Sequence, residues 1–107
     1  MMCAIWYILY AKRWGSMQFE YDQNKSVANL EKHGINFEDI QEIWDGIYCK
    51  IDAVSVSRER RGIVVGRISG EYWTAVIADR GSVTRIISAR RSTEKERSAY
   101  EKNYNSR

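Results

Sequence analysis

A chain of 107 residues with 44% hydrophobic content suffices for one domain around one modest core and is too short for two. Its net charge of +3 conceals a division, since residues 1–57 carry 5 Lys/Arg against 8 Asp/Glu while residues 58–107 carry 12 against 6. Cys3 and Cys49 form neither a C-x-x-C nor a metal-ligand spacing, which argues against a disulfide framework or a metal centre and fits a reducing cytoplasmic setting with no cofactor.

Residues 1–16, MMCAIWYILYAKRWGS, include an apolar run from Met2 to Ala11 that is too short to cross a bilayer as a helix. It also lacks the basic start and cleavage site of a secretory signal, so no membrane anchor is expected. The sequence from Met17 begins like a compact domain. Residues 1–16 are therefore expected to be an extension upstream of the natural start, and 17–107 the domain; the alternative is that the extension packs as an extra strand or helix.

Phe19 to Tyr21 is a short strand. Asp22 caps a helix from about Gln23 to His33, with Val27 and Leu30 on its apolar side and Gly34 as a left-handed stop. Asn36 opens a second helix, in which Phe37, Ile40, Ile43, Trp44 and Ile47 recur at three- and four-residue steps. Four strand-like runs follow, Tyr48 to Ser57, Gly62 to Ser69, Tyr72 to Asp79 and Val83 to Ala89, with hairpin turns expected at Gly70-Glu71 and Arg80-Gly81. Their links leave no room for crossover helices, so the sheet is expected to be antiparallel. Gly66, inside a strand, marks a bulge or a close backbone approach. Thr93 and Glu96 make a capping box that starts a last helix through about Tyr104. The fold class is α+β.

The stretch Arg80 to Arg91, RGSVTRIISARR, sets Arg80, Arg85, Arg90 and Arg91 around Val83, Ile86 and Ile87. Guanidinium groups suit phosphate and remain charged at physiological pH, so this basic strand points to nucleic acid or to an acidic protein that mimics it. A generic solubilising surface explains the composition alone equally well.

The chain resembles the BrnT toxins of bacterial type II toxin–antitoxin systems, which belong to the RelE/ParE superfamily. The resemblance runs from Phe19 through Asn29 and the KHG of Lys32 to Gly34, then INFEDI, the ERR of Glu59 to Arg61 and the closing RIISARRSTEKER. It departs at residues 1–16 and at Trp44-Asp45-Gly46, where the family pattern has a phenylalanine and an Asp-Pro turn. It implies two N-terminal helices packed on an antiparallel meander sheet with a C-terminal helix. It also implies a small ribonuclease that arrests translation, on free or ribosome-associated RNA, and is neutralised by a BrnA-type antitoxin. That antitoxin carries a ribbon-helix-helix DNA-binding domain, through which the complex would reach operator DNA. A ParE-like toxin acting on a protein such as gyrase, or a catalytically silent corepressor, are the alternatives, since one scaffold hosts several activities.

RNA cleavage without a metal needs an acceptor for the 2′-hydroxyl proton, stabilisation of the phosphorane and a donor to the leaving 5′-oxygen. His33, the only histidine, is of the one residue type that ordinarily titrates near neutrality; as a helix C-terminal residue it equally serves the dipole. Glu38 is a weaker candidate base, because a first-turn glutamate more often complements the dipole. By strand parity Arg85 and Arg91 share one face and Arg80 and Arg90 the other, unless a bulge or an early strand end near Ser88 intervenes. On the resemblance, Arg85 and Arg90 stand nearest the scissile phosphate. Arg60 and Arg61, in a loop, and Arg80 add phosphate contacts. Arg91 and Arg97 are expected to pair with Glu94, Glu96 or Glu101. Lys25, Asn29 and Lys32 form a polar helix stripe, available to substrate or simply solvated. Tyr72, Trp73, Tyr100 and Tyr104 are candidates for base stacking, and core packing explains Trp73 equally well.

Overall fold

The computed structural model describes residues 6–10, 18–53 and 60–105. Chain order is β1 (Trp6–Tyr10), β2 (Gln18–Asp22), α1 (Gln23–His33), a 3-10 helix (Asp39–Asp45), β3 (Cys49–Ala53), β4 (Arg60–Ile68), β5 (Glu71–Arg80), β6 (Val83–Arg91) and α2 (Glu94–Asn105). The expected continuation of β3 to Ser57 lies outside the described residues. One sheet has the order β1-β2-β6-β5-β4-β3. Residues 6–10, in the stretch expected upstream of the domain, pair antiparallel with β2 as an edge strand.

The expected α+β class holds, but two expectations about the architecture do not. The sheet is mixed: β3 to β6 form the antiparallel meander, yet β2 pairs parallel to β6. Tight links dictate antiparallel neighbours only among the last four strands. Helix α1, the 3-10 helix and three strands separate β2 from β6, which lets the chain cross over and run alongside. The second helix is a 3-10 segment rather than an α-helix, so the two α-helices stand at opposite ends of the domain. Asn36 does open that region, its Oδ1 accepting from the Asp39 N–H at 2.7 Å.

Side chains from alternate strand positions build the core between the sheet and the 3-10 helix. Phe19, Tyr21, Val64, Ala75, Ile77, Ile86 and Ala89 meet Ile35, Phe37, Ile40 and Ile43. Trp44 packs edge-on against Phe19, with ring centroids 4.8 Å apart. On the opposite face a smaller cluster of Cys49, Val65 and Tyr100 seats α2. The hairpin turns fall at Ser69-Gly70 and Gly81-Ser82, one position from where the sequence placed them.

Helix α1 has the expected limits. Asp22 Oδ1 accepts from the Asn24 and Lys25 N–H groups, and Gly34 ends the helix at φ +85° with its N–H donating to the Leu30 carbonyl. Its expected buried side is wrong: Val27 and Leu30 are 51% and 46% exposed, while Ser26 and Asn29 are buried. The reason is what α1 faces. β2 accompanies β6 only as far as Arg85, leaving the outer edge of β6 open beyond it. Asn29 fills that gap, donating from Nδ2 to the Ile35 and Ala89 carbonyls (2.7 and 2.8 Å) while Oδ1 accepts from the Ala89 N–H. Ser26 Oγ accepts from the Phe37 N–H. A helix against unpaired backbone buries polar side chains, because those backbone groups must be satisfied.

Gly66 marks a close approach of elements. A Cβ there would stand 2.6 Å from Ile43 Cβ, so glycine lets the 3-10 helix sit against β4. Gly66→Ala is expected to lose about 1–3 kcal/mol of stability by overpacking, read as a lower urea midpoint.

Candidate functional site

Strand β6 contains one extra residue. Val76 pairs with Ser88 and Ile77 with Ile86, so Ile87 has no register partner. Such a bulge exchanges faces for every residue beyond it. Ile86 and Ala89 thereby both reach the core, while Arg85, Ser88 and Arg90 all lie on the α2-bearing face. A bulge is one of the two irregularities near Ser88 that would bring the arginines together, and it does so for Arg80, Arg85 and Arg90. It sends Arg91 to the core-side face, where its guanidinium pairs with Glu71 and lies over the Trp73 ring, rather than to the expected α2 glutamates.

Register carries the α2-bearing face across the sheet. Glu20 is opposite Arg85, Arg85 opposite Ala78, and Ala78 opposite Arg61, so these four stand in one row over β2, β6, β5 and β4. Arg80 lies two positions beyond Ala78 on the same face. Ala78 is fully buried, with Arg61, Arg80 and Arg85 around it in register. Strands are about 4.8 Å apart, which puts the Arg61 and Arg85 backbones roughly 10 Å apart. Glu20 ends the row, 3.6 Å from the Arg80 guanidinium. Arg60 belongs to β4 rather than to a loop, and alternation points it to the other face, opposite Asp79.

Arg90 shares the face and is held by Glu96. Its two terminal nitrogens each donate to a Glu96 carboxylate oxygen at 2.8 Å. Glu96 also accepts from the Thr93 N–H and from Thr74 Oγ1, and its own N–H donates to Thr93 Oγ1, completing the expected capping box. The ion pair expected of Arg91 and Arg97 is thus made by Arg90. The Arg90 hydrogen bond is the main reason the Glu96 carboxyl is lowered to about 2, against a smaller opposing effect of burial. Arg97 and Arg67 instead lie over the Tyr72 ring, 4.9 and 5.1 Å from its centroid. Tyr72 donates its hydroxyl proton to Glu101, which raises its pKa. Tyr100 is buried against Tyr72 and Trp73 is packed on the core, so both belong to structure; the Tyr104 side chain lies outside the described residues.

Lys25, Asn29, Lys32 and His33 line a cleft of about 210 Å³ between α1 and the bulge, with Ile87 and Ser88 on its far wall. Ser88 connects this cleft to the face of Arg85. Glu38, exposed at the start of the 3-10 helix, lies in the layer across the sheet. Sequence reasoning missed Glu20. The alternation in QFEYD, with Phe19 and Tyr21 inward, signals that Glu20 points to the opposite face, but not that β6 is its neighbour.

The family model described as ribonuclease toxin, BrnT, of type II toxin–antitoxin system matches residues 21–96. The chain belongs to the BrnT family. BrnT proteins are ribonuclease toxins, and membership of a type II system implies a protein antitoxin. The matched span of this BrnT chain holds His33, Arg61, Arg80, Arg85 and Arg90. Among curated proteins none matches it. Among the described residues no three His, Cys, Asp or Glu side chains are grouped to hold a metal ion, and no helix is long and apolar enough to cross a membrane.

The Arg90–Glu96 pair has a pH signature. A carboxyl lowered to about 2 from an ordinary 4.5 contributes stability that is complete above the unfolded value and is lost as pH falls through the folded one. Thermal unfolding followed from about pH 6 down to about pH 2 is expected to show this acid loss in the wild type. Glu96→Gln is expected to start less stable and to lose less.

Proposed function

We propose that this BrnT chain is a metal-independent endoribonuclease that arrests translation, with the scissile phosphate held by the guanidinium groups of Arg61, Arg80 and Arg85. The observation carrying this reading is the register row that gathers these arginines around a small buried residue. Three fixed positive charges answer the charge that builds on a phosphorane, and donors held in place before the reaction avoid the cost of reorganising solvent. Arg85, central to the row, stabilises the phosphorane. Arg90, its charge compensated by Glu96, fixes the strand end and α2 and makes the smaller contribution. His33 transfers a proton from the α1 cleft, where Lys25 and Lys32 hold neighbouring phosphates; Arg60, on the opposite face, contributes at most at long range.

The partner proposed is a BrnA-type antitoxin whose acidic segment covers the row and whose ribbon-helix-helix domain binds operator DNA. Masking the arginines would neutralise the toxin without altering its fold. A RelE/ParE-like, cytoplasmic enzyme is the corresponding picture of fold and place.

Induction of the full chain is expected to arrest growth with fragmented RNA. Arg85→Ala is expected to lower cleavage in vitro by about a hundredfold or more. Arg90→Ala is expected to lower the melting temperature, because it breaks the paired hydrogen bonds to Glu96. Arrest with intact RNA would overturn the ribonuclease reading in favour of a protein target such as gyrase. His33→Ala is expected to reduce the rate without weakening RNA binding, and a chelator to leave wild-type cleavage unchanged.

A further inference from the structure

We infer that Glu20 is the general base of this site, the group that takes the 2′-hydroxyl proton; the inference rests on the ribonuclease reading above. Glu20 lies one residue before the family-matched span, so its role is argued from geometry alone. Phe19 and Tyr21 anchor β2 in the core, and alternation fixes Glu20 on the arginine-bearing face. Parallel pairing sets it beside Arg85, and its carboxylate is 3.6 Å from the Arg80 guanidinium. Its side chain is only 13% exposed, held by the sheet at the end of the phosphate cradle.

A phosphate among Arg61, Arg80 and Arg85 would bring its ribose within reach of the neighbouring row position, which Glu20 occupies. A carboxylate accepts a proton and can donate none while ionised, whereas the guanidinium groups around it only donate. Within the row, Glu20 is therefore the acceptor and the arginines are the phosphate ligands. In the step proposed, a Glu20 oxygen removes the 2′-hydroxyl proton and the 2′-oxygen forms a bond to phosphorus. The P–O5′ bond breaks, and its electron pair leaves on the 5′-oxygen, which takes a proton from His33. The products are a 2′,3′-cyclic phosphate and a 5′-hydroxyl. Glu20 then returns its proton, and His33 regains one, through solvent.

Among the described residues, the charged groups facing Glu20 are Arg80 on β5 and Arg85 on β6, and its own strand adds Asp22 on the same side. Removal of Glu20 should act on the low-pH limb of the rate profile, and that of His33 on the high-pH limb.

The test compares the full chain with Glu20→Gln, Glu20→Asp and His33→Ala in single-turnover cleavage of an unstructured RNA across pH. Binding is measured separately on a non-cleavable 2′-deoxy copy, and folding by thermal unfolding. Glu20→Gln is expected to lower the rate by about a hundredfold or more and to remove the low-pH limb, with binding within a few-fold of wild type. Glu20→Asp is expected to restore part of the rate, and His33→Ala to keep the low-pH limb. A Glu20→Gln variant with wild-type rate and profile would overturn the inference and leave the ribonuclease reading standing. A fall in rate matched by an equal fall in binding would overturn it too, making Glu20 a positioning residue for Arg80. A wild-type chain that cleaves no RNA would overturn the ribonuclease reading and this inference with it. Should Glu20→Gln not fold, the Glu20→Asp profile decides: an unchanged rate and low-pH limb would reject a base at this position.

Discussion

The extra residue at Ile87 determines which side chains of β6 meet the core and which meet solvent. In a regular strand Ile86 and Ala89 would face opposite ways, and so would Arg85 and Arg90. The bulge lets one strand serve two surfaces: Ile86 and Ala89 join the core with Phe19 and Tyr21, while Arg85 and Arg90 stay on the far side. Without it, either an apolar side chain would leave the core or a guanidinium group would enter it, and an unpaired buried charge is far costlier than one irregular ladder position.

The bulge also disturbs the outer edge of β6, where β2 has already turned into α1. A strand edge with free N–H and C=O groups invites pairing with another chain. Here the side-chain amide of Asn29 supplies both the donor and the acceptor that a strand would have offered to Ala89. The same helix turns Lys25, Lys32 and His33 toward the bulge, so one contact both closes the edge and forms the cleft. Burial of Asn29 in place of Leu30 is the consequence.

What the sequence made legible was local. Asp22, Gly34, Thr93 and Glu96 gave element boundaries, because caps act over a few residues and leave a chemical signature at a fixed spacing. The arginine parity conflict pointed to an irregularity near Ser88, a bulge or an early strand end, without deciding between them. The parallel pairing of β2 with β6 was not legible, since nothing in QFEYD names a partner more than 60 positions away. With that pairing hidden, the row from Glu20 to Arg61 was hidden as well. The rotation of α1 was missed for a related reason: amphipathic periodicity assumes an apolar neighbour, and α1 faces backbone. The choice of Arg90 as the Glu96 partner follows from the bulge, which puts it, rather than Arg91, on the side of α2.

Two glutamates divide the positive charge of this face into different tasks. Glu96 binds Arg90 with both oxygens, and the further bonds from Thr74 and Thr93 leave that carboxylate saturated, a joint between β5, β6 and α2. Glu20 touches its arginine at 3.6 Å, outside good hydrogen-bond range, and is not bound face to face with it. The contrast bears on function because an oxygen committed to two strong donors is a poor proton acceptor, while one held near a cation but not clasped by it remains available. Three arginines on adjacent strands repel one another, and a carboxylate at the end of their row lowers that cost in the free protein.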